Sequence, residues 1–286
     1  MMQSYDNHSP YSDPITFRSM IRSWPLEPRQ LADEISRYLF HVGSEECQAV
    51  FSPHLHLDDM RARSVTDILS RSIESGHQSE ARKCAGVCRD FALLAVSAYR
   101  SHGTPARLRV GFADYFTQDF LEDHWVCEFH DGKQWRLLDV EVVAEPGISL
   151  FEFDAADVPS DRFIKAADAW KRVQSGEISY NKCGVHRLNI TGEWFAAANV
   201  FRDAAALSGI ELKPWDYWGE NAKFEISDDL ASEPCRAAAS LLAEKIPELE
   251  TPRSSFLIEA FKNWLPRKYV TSFPDGEPET VQLLRD

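Results

Sequence analysis

The dipeptide Asp131-Gly132, set between two short β-prone runs, is the feature that most narrows what this chain can fold into. Asp-Gly is a pair favoured by a two-residue type I′ hairpin turn, in which both central residues take positive φ. With Asp131 and Gly132 as that turn, residues whose numbers sum to 263 face each other. His130 is then expected opposite Lys133, Glu128 opposite Trp135, and His124 opposite Asp139. Directly opposed side chains carry Cβ atoms roughly 4.5–5.5 Å apart on one face. The register alone therefore sets a carboxylate beside an imidazole.

Upstream, the run from Cys88 to Arg100 lacks Gly and Pro, and Phe91, Leu94, Ala95 and Ala98 repeat at helical spacing. Gly103 and Pro105 supply a stop, with His102 in the last turn, and Gly86 is placed to cap the start. A cysteine in the first turn of that helix feels the positive end of the dipole and unpaired backbone N–H groups, which favour thiolate. Cys88, His124 and Asp139 thus follow in the order nucleophile, base and group that orients the base. A metal reading of Cys84, Cys88, His124 and Cys127 fares worse. His124 and Cys127, three apart on a strand, point to opposite faces, and the Cys84/Cys88 spacing is not that of a zinc knuckle. No metal and no cofactor is expected.

From Arg82 to Val140 the chain resembles the transglutaminase-like superfamily of papain-like thiol enzymes. The resemblance rests on Gly86-Val87-Cys88-Arg89-Asp90-Phe91-Ala92, the run Gly103 to Phe112, Asp123-His124-Trp125-Val126, and Trp135-Arg136-Leu137-Leu138-Asp139, in that order. It implies Cys88 as nucleophile, His124 as base and Asp139 as orienter, with acyl transfer, amide hydrolysis or a non-catalytic interaction module as the possible outcomes. It implies an α+β papain-like core of N-terminal helices, catalytic helix and antiparallel sheet. In the superfamily a side chain upstream of the cysteine can complete the oxyanion hole, and Gln78 is the candidate here.

Composition narrows the partners. Thirty-one basic against 45 acidic residues leave a net charge of −14, which disfavours nucleic acid and anionic membrane. No apolar stretch approaches the ~20 residues a spanning helix requires. Six cysteines in a chain of this length, behind a polar N-terminus, point to a reduced, cytoplasmic protein. The expected substrate is a peptide, protein or small amide.

Organisation is read as a disordered tail at 1–14, a core at 15–150 and a mainly helical extension at 151–286. Helices are expected over Pro28–Phe40, Ser64–Ile73, Phe163–Gln174, Gly192–Ser208, Ser227–Ile246 and Pro252–Leu265, and strands over Ala106–Phe116, Asp123–His130 and Gln134–Val142. Trp125, Trp215 and Trp218 are candidate substrate-binding residues. Trp215 and Trp218 have an alternative role in packing the extension onto the core, and Arg202 with Asp203 is read as a structural ion pair.

Overall fold

The computed structural model describes residues 5–49, 53–74, 83–144, 151–222, 229–249 and 263–284. The architecture is α+β, built on one helix and the sheet it covers. A parallel pair, β1 (Leu39–His41) and β2 (Cys84–Gly86), delivers the chain to Val87, which is extended at φ −125° and ψ 174°. Val87, not Gly86, is the N-cap. Asp90, at the third helical position, accepts the Val87 N–H at 3.1 Å. The helix Cys88–Ser101 runs as its sequence predicts and ends before Gly103, whose φ is 74°.

β3 (Ala106–Ala113) and β4 (Leu121–His130) pair antiparallel along their length, with Arg107 opposite Glu128 and Gly111 opposite His124. β5 (Trp135–Leu138) returns along β4, but the turn between them is not the two-residue one. His130 opposes Trp135 and Glu128 opposes Leu137, so four residues form the connection. Asp131 uses its side chain: Oδ1 accepts the N–H groups of Lys133 and Gln134 at 2.8 and 2.9 Å. Of the two central residues only Gly132 takes positive φ, at 92°. The slip is two residues, an even number, so every side chain keeps its expected face. The ladder stops at Leu138, however, and residues expected as strand form the helix Val140–Ala144 instead.

Other boundaries move for similar reasons. The first predicted helix ends at Ile35, and Leu39 and Phe40 enter β1. The second is Val65–Glu74. Residues 163–165, expected as the start of a helix, are strand β6 (Phe163–Lys165), and the helix is Ala166–Gln174. The helix Glu193–Leu207 matches expectation, with Gly192 as its cap. Glu233–Leu249 is the described helix nearest the predicted 227–246. The helix predicted from Pro252 lies outside the described residues, except 263–265, which are a turn.

The second half adds strands to the sheet of the first. β6 pairs with β3, β7 (Cys183–Val185) pairs parallel with β4, and β8 (Ile190–Thr191) lies beyond β7. The order β6-β3-β4-β7-β8, with β5 on β4, crosses the boundary drawn at residue 150. β9 (Asp216–Tyr217), β10 (Tyr269–Ser272) and β11 (Glu279–Gln282) form a second sheet. Residues 5–14 are not disordered. The Tyr5 carbonyl accepts the Ala106 N–H at 2.9 Å, and Tyr11 is buried. Ser9 and Ser12 look like tail residues, yet Ser9 hydrogen-bonds buried Glu211 and Ser12 accepts from Arg100 at 2.9 Å.

Charged side chains fill the space between sheet and C-terminal half. Glu128 receives Arg107 at 2.5 Å, Arg109 at 3.1 Å and Lys165 at 3.0 Å. Arg109 also pairs with Asp203 at 2.9 Å. Asp203 therefore does not pair with Arg202, whose guanidinium donates to Asn199 and lies 4.4 Å from the Tyr217 ring centre. Burial opposes ionisation of Glu128, but Arg109, Arg107 and Lys165 outweigh it and hold the carboxyl well below the usual range. A depressed carboxylate pKa stabilises the fold above the unfolded-chain value of about 4.3 and loses that contribution as pH falls towards the folded value. Glu128→Gln removes the carboxylate these cations share and should cost ~3–5 kcal/mol of unfolding free energy at neutral pH. Urea denaturation checks this, and the gap between parent and variant should narrow below about pH 4.

Candidate active site

Cys88 occupies the first position of its helix, where backbone N–H groups have no intrahelical acceptor. All six cysteines are unpaired, but Cys88 alone is half-buried and the other five are buried. His124 stands on β4 opposite Gly111, where a Cβ would lie 2.3 Å from the Ile164 carbonyl oxygen of β6. Glycine is required there for β6 to approach β3, the strand that pairs with the one carrying His124.

Asp139 follows the last ladder residue of β5 and does three things. Its Oδ1 accepts the Val142 N–H at 3.1 Å, capping the helix Val140–Ala144. Its Oδ2 bonds His124 Nε2 at 2.8 Å and accepts the Tyr115 hydroxyl at 2.6 Å. The His124–Asp139 pairing read from the sequence is therefore present, but a helix cap produces it rather than direct opposition across the ladder. With Nε2 turned to Asp139, the imidazole nitrogen left for Cys88 is Nδ1, and the sulfur and a His124 ring nitrogen lie within 4.8 Å of each other. Phe116 and Tyr115 pack edge-on against the His124 ring, with centroids 4.9 and 6.1 Å away.

The electrostatics follow from this arrangement. Burial disfavours a charged His124, but the Asp139 carboxylate and Cys88 outweigh it and raise the imidazolium pKa well above its ordinary value. Burial pushes the Cys88 thiol up to about 11, while His124 pulls it down. The cluster can hold a proton on a fixed imidazole next to a sulfur nucleophile. Asp123, one residue before His124, accepts from Asn199 at 2.8 Å, and burial raises its carboxyl.

The three tryptophans fare differently. Trp125, 1 % exposed, lies in the core that the Cys88 helix covers, opposite Val110 on β3. Trp218, 7 % exposed, packs on Phe201 and donates to the Trp264 carbonyl at 2.7 Å. Both are largely buried. Trp215 is half-buried, 5.4 Å from the Lys213 ammonium that holds Asp90. A cavity of about 470 Å³ beside Trp218 is lined by none of Cys88, His124 or Asp139. Gln78 lies outside the described residues.

Two neighbours were not read from the sequence. Tyr115 leaves no spacing signal, because it lies in the connection after β3 and reaches Asp139 only through the fold. Glu141 belongs to the helix that replaced the expected strand. Its carboxylate, Cys88 Sγ and a His124 ring nitrogen all lie within 4.8 Å of one another. Cys84 and Cys127 are buried and have no part in that cluster.

A cysteine at a helix start, a histidine on an adjoining strand and a carboxylate fixing that histidine define a thiol-enzyme type of centre on an α+β core. Residues 59–140, which contain all three, match the model of the transglutaminase-like superfamily. A crystal structure from Cytophaga hutchinsonii, called a "putative cysteine protease", is similar over 56 % of this chain at 18 % identity and a TM-score of 0.34. The likeness covers 44 % of that protein. No curated protein matches the chain.

Because Asp139 is the leading cause raising His124, its neutral isostere exposes the opposing effect. In Asp139→Asn the cap can persist, since Asn also caps, while burial is left to dominate. The His124 titration midpoint, followed by imidazole NMR, should move to lower pH. An unchanged midpoint would remove Asp139 from the electrostatics of the site.

Proposed function

We infer that this chain is a cysteine enzyme that forms an acyl-enzyme from an amide. The observation that carries this reading is the convergence of Cys88, His124 and Asp139. The imidazole bonds the carboxylate at 2.8 Å, and the first-turn thiol lies within 4.8 Å of a ring nitrogen. The Cys88 sulfur forms a bond to the carbonyl carbon as its proton passes to His124. The carbonyl oxygen, now negative, lies near the helix start, where the Cys88 backbone N–H is a natural donor. Collapse breaks the C–N bond, and His124 gives the proton to the departing amine. Water or a second amine then takes the acyl group and returns the thiol. Asp139 holds the imidazole in one orientation throughout.

The substrate class is a peptide, protein or small amide, and hydrolysis and transfer share the same first half. Trp215, part of whose surface is open, is the tryptophan proposed to wall the acyl pocket. No helix among the described residues is long and apolar enough to cross a membrane. Six unpaired cysteines agree with a reducing, cytoplasmic setting.

Cys88→Ala should reduce turnover of a panel of glutamine-donor peptides and amine acceptors to background. Its melting temperature should stay near that of the parent, since alanine is the best helix former. Iodoacetamide near neutral pH should label Cys88 well ahead of the other five cysteines, as read by peptide mass spectrometry. Full turnover by Cys88→Ala would remove Cys88 from the chemistry, whereas no turnover by the parent and labelling with no preference for Cys88 would leave an interaction module as the better reading.

Tyr115→Phe tests the support behind the triad. It removes a 2.6 Å hydrogen bond to Asp139 without changing the shape of the ring. A loss on the order of 1 kcal/mol, about fivefold in kcat/KM, is expected, with a shifted alkaline limb of the pH profile. A uniform loss of folded protein instead would make Tyr115 a packing residue only.

A further inference from the structure

We propose that Cys88 Sγ, His124 Nδ1 and a Glu141 carboxylate oxygen form a three-ligand site for a soft divalent cation, zinc foremost, which blocks the nucleophile when bound.

The donors are the observation. Sulfur, nitrogen and oxygen atoms from the three residues all lie within 4.8 Å of one another. Zinc bonds such atoms at about 2.0–2.3 Å, which sets them roughly 3.5 Å apart in a tetrahedron. Closing from 4.8 Å asks for a little over 1 Å of side-chain adjustment. Glu141 can supply it, having several rotatable bonds and a partly exposed side chain. A single oxygen donor beside a thiolate and an imidazole suits zinc, not magnesium or calcium, which take mostly oxygen ligands.

The surroundings fit a metal site independently of those distances. Asp139 Oδ2 holds His124 Nε2 at 2.8 Å, which leaves Nδ1 as the coordinating atom. A carboxylate that fixes the far nitrogen of a histidine ligand is the usual outer support of zinc-bound imidazoles. Tyr115 in turn holds that same carboxylate oxygen at 2.6 Å. On the other side His41 Nε2 lies 3.7 Å from Glu141 Oε1, a second imidazole against the oxygen ligand. Three protein ligands leave the fourth tetrahedral position open to water, the pattern of accessible zinc sites rather than closed structural ones. A cation seated there occupies the sulfur lone pair that would attack a carbonyl. Metal-bound and reactive states therefore exclude each other.

The test is direct binding of the metal alone to the reduced 286-residue chain, so it reads the site whether or not a substrate is turned over. Calorimetric titration of Zn²⁺ should show one site, absent in Cys88→Ala and at least about tenfold weaker in Glu141→Gln. Asp139→Asn, which leaves all three ligands in place, should weaken binding by roughly 10–100-fold. Co²⁺ in place of Zn²⁺ should give a thiolate charge-transfer band and the visible bands of four-coordination, both absent in Cys88→Ala. Saturating Zn²⁺ should protect Cys88 from iodoacetamide in the parent. Stoichiometric binding that survives Cys88→Ala, equal affinity of parent and Glu141→Gln, or no Zn²⁺ uptake at all would each overturn the proposal.

Discussion

A strap of alternating charges, Glu211, Lys213 and Asp216, grips the Cys88 helix and its surroundings, and most of the architecture depends on it. Glu211 pairs with Arg100 near the end of the helix at 2.8 Å. Lys213 pairs with Asp90 in its first turn at 2.8 Å. Asp216 pairs with Arg63 at 2.6 Å, and Arg63 offers its carbonyl to Arg89. Arg89 also donates to the Leu212 and Glu211 carbonyls, binding the strap through its backbone. All of these groups are largely withdrawn from water, so removing one member strands its partner and costs several kcal/mol. The gain is positional. A helix held at its first turn and again at its far end has little freedom to slide, and Cys88 keeps its place relative to β4.

The same strap explains why the chain cannot be divided at residue 150. The Cys88 helix buries Phe91, Leu94, Ala95 and Ala98 as its periodicity demands. Yet its polar positions are equally buried, and their partners come from sequence more than a hundred residues away. Ser9 and Ser12 reach the same network from the N-terminus. Three distant segments thus meet at one helix.

These distances set how much was legible. Helix periodicity and the stop at Gly103 depend on neighbours within a few turns, and they read correctly. The hairpin was legible in kind and in face but not in register. The Asp131 side chain chose an Asx turn over the positive φ that a type I′ turn requires. An error of two residues is harmless to alternation, but Asp139 lies past the end of the ladder, and the helix cap is what turns it to His124. The serines of the tail, Tyr115 and the Arg109–Asp203 pair carry no local pattern, because their partners are fixed only by the tertiary fold. Trp125 and Trp218 show how little an aromatic run decides. Aromatic density is real in the sequence, but it reports large side chains that need burial as readily as it reports a binding wall.

The short helix after β5 has the largest chemical consequence. Read as strand, residues 140–142 would continue the ladder and leave Asp139 as one opposed residue among several. Ending the ladder at Leu138 frees Asp139 to cap a helix with one oxygen while the other holds His124 and Tyr115. The same turn brings Glu141 to within reach of the sulfur and the imidazole. A zinc ligand set drawn from Cys84 or Cys127 fails, because those thiols are buried away from the cluster. The oxygen donor instead comes from the residue that the change from strand to helix relocates. The cap therefore does two jobs with opposed outcomes. It fixes the imidazole that a thiol nucleophile requires, and it supplies the third donor that would let a soft cation compete for that nucleophile.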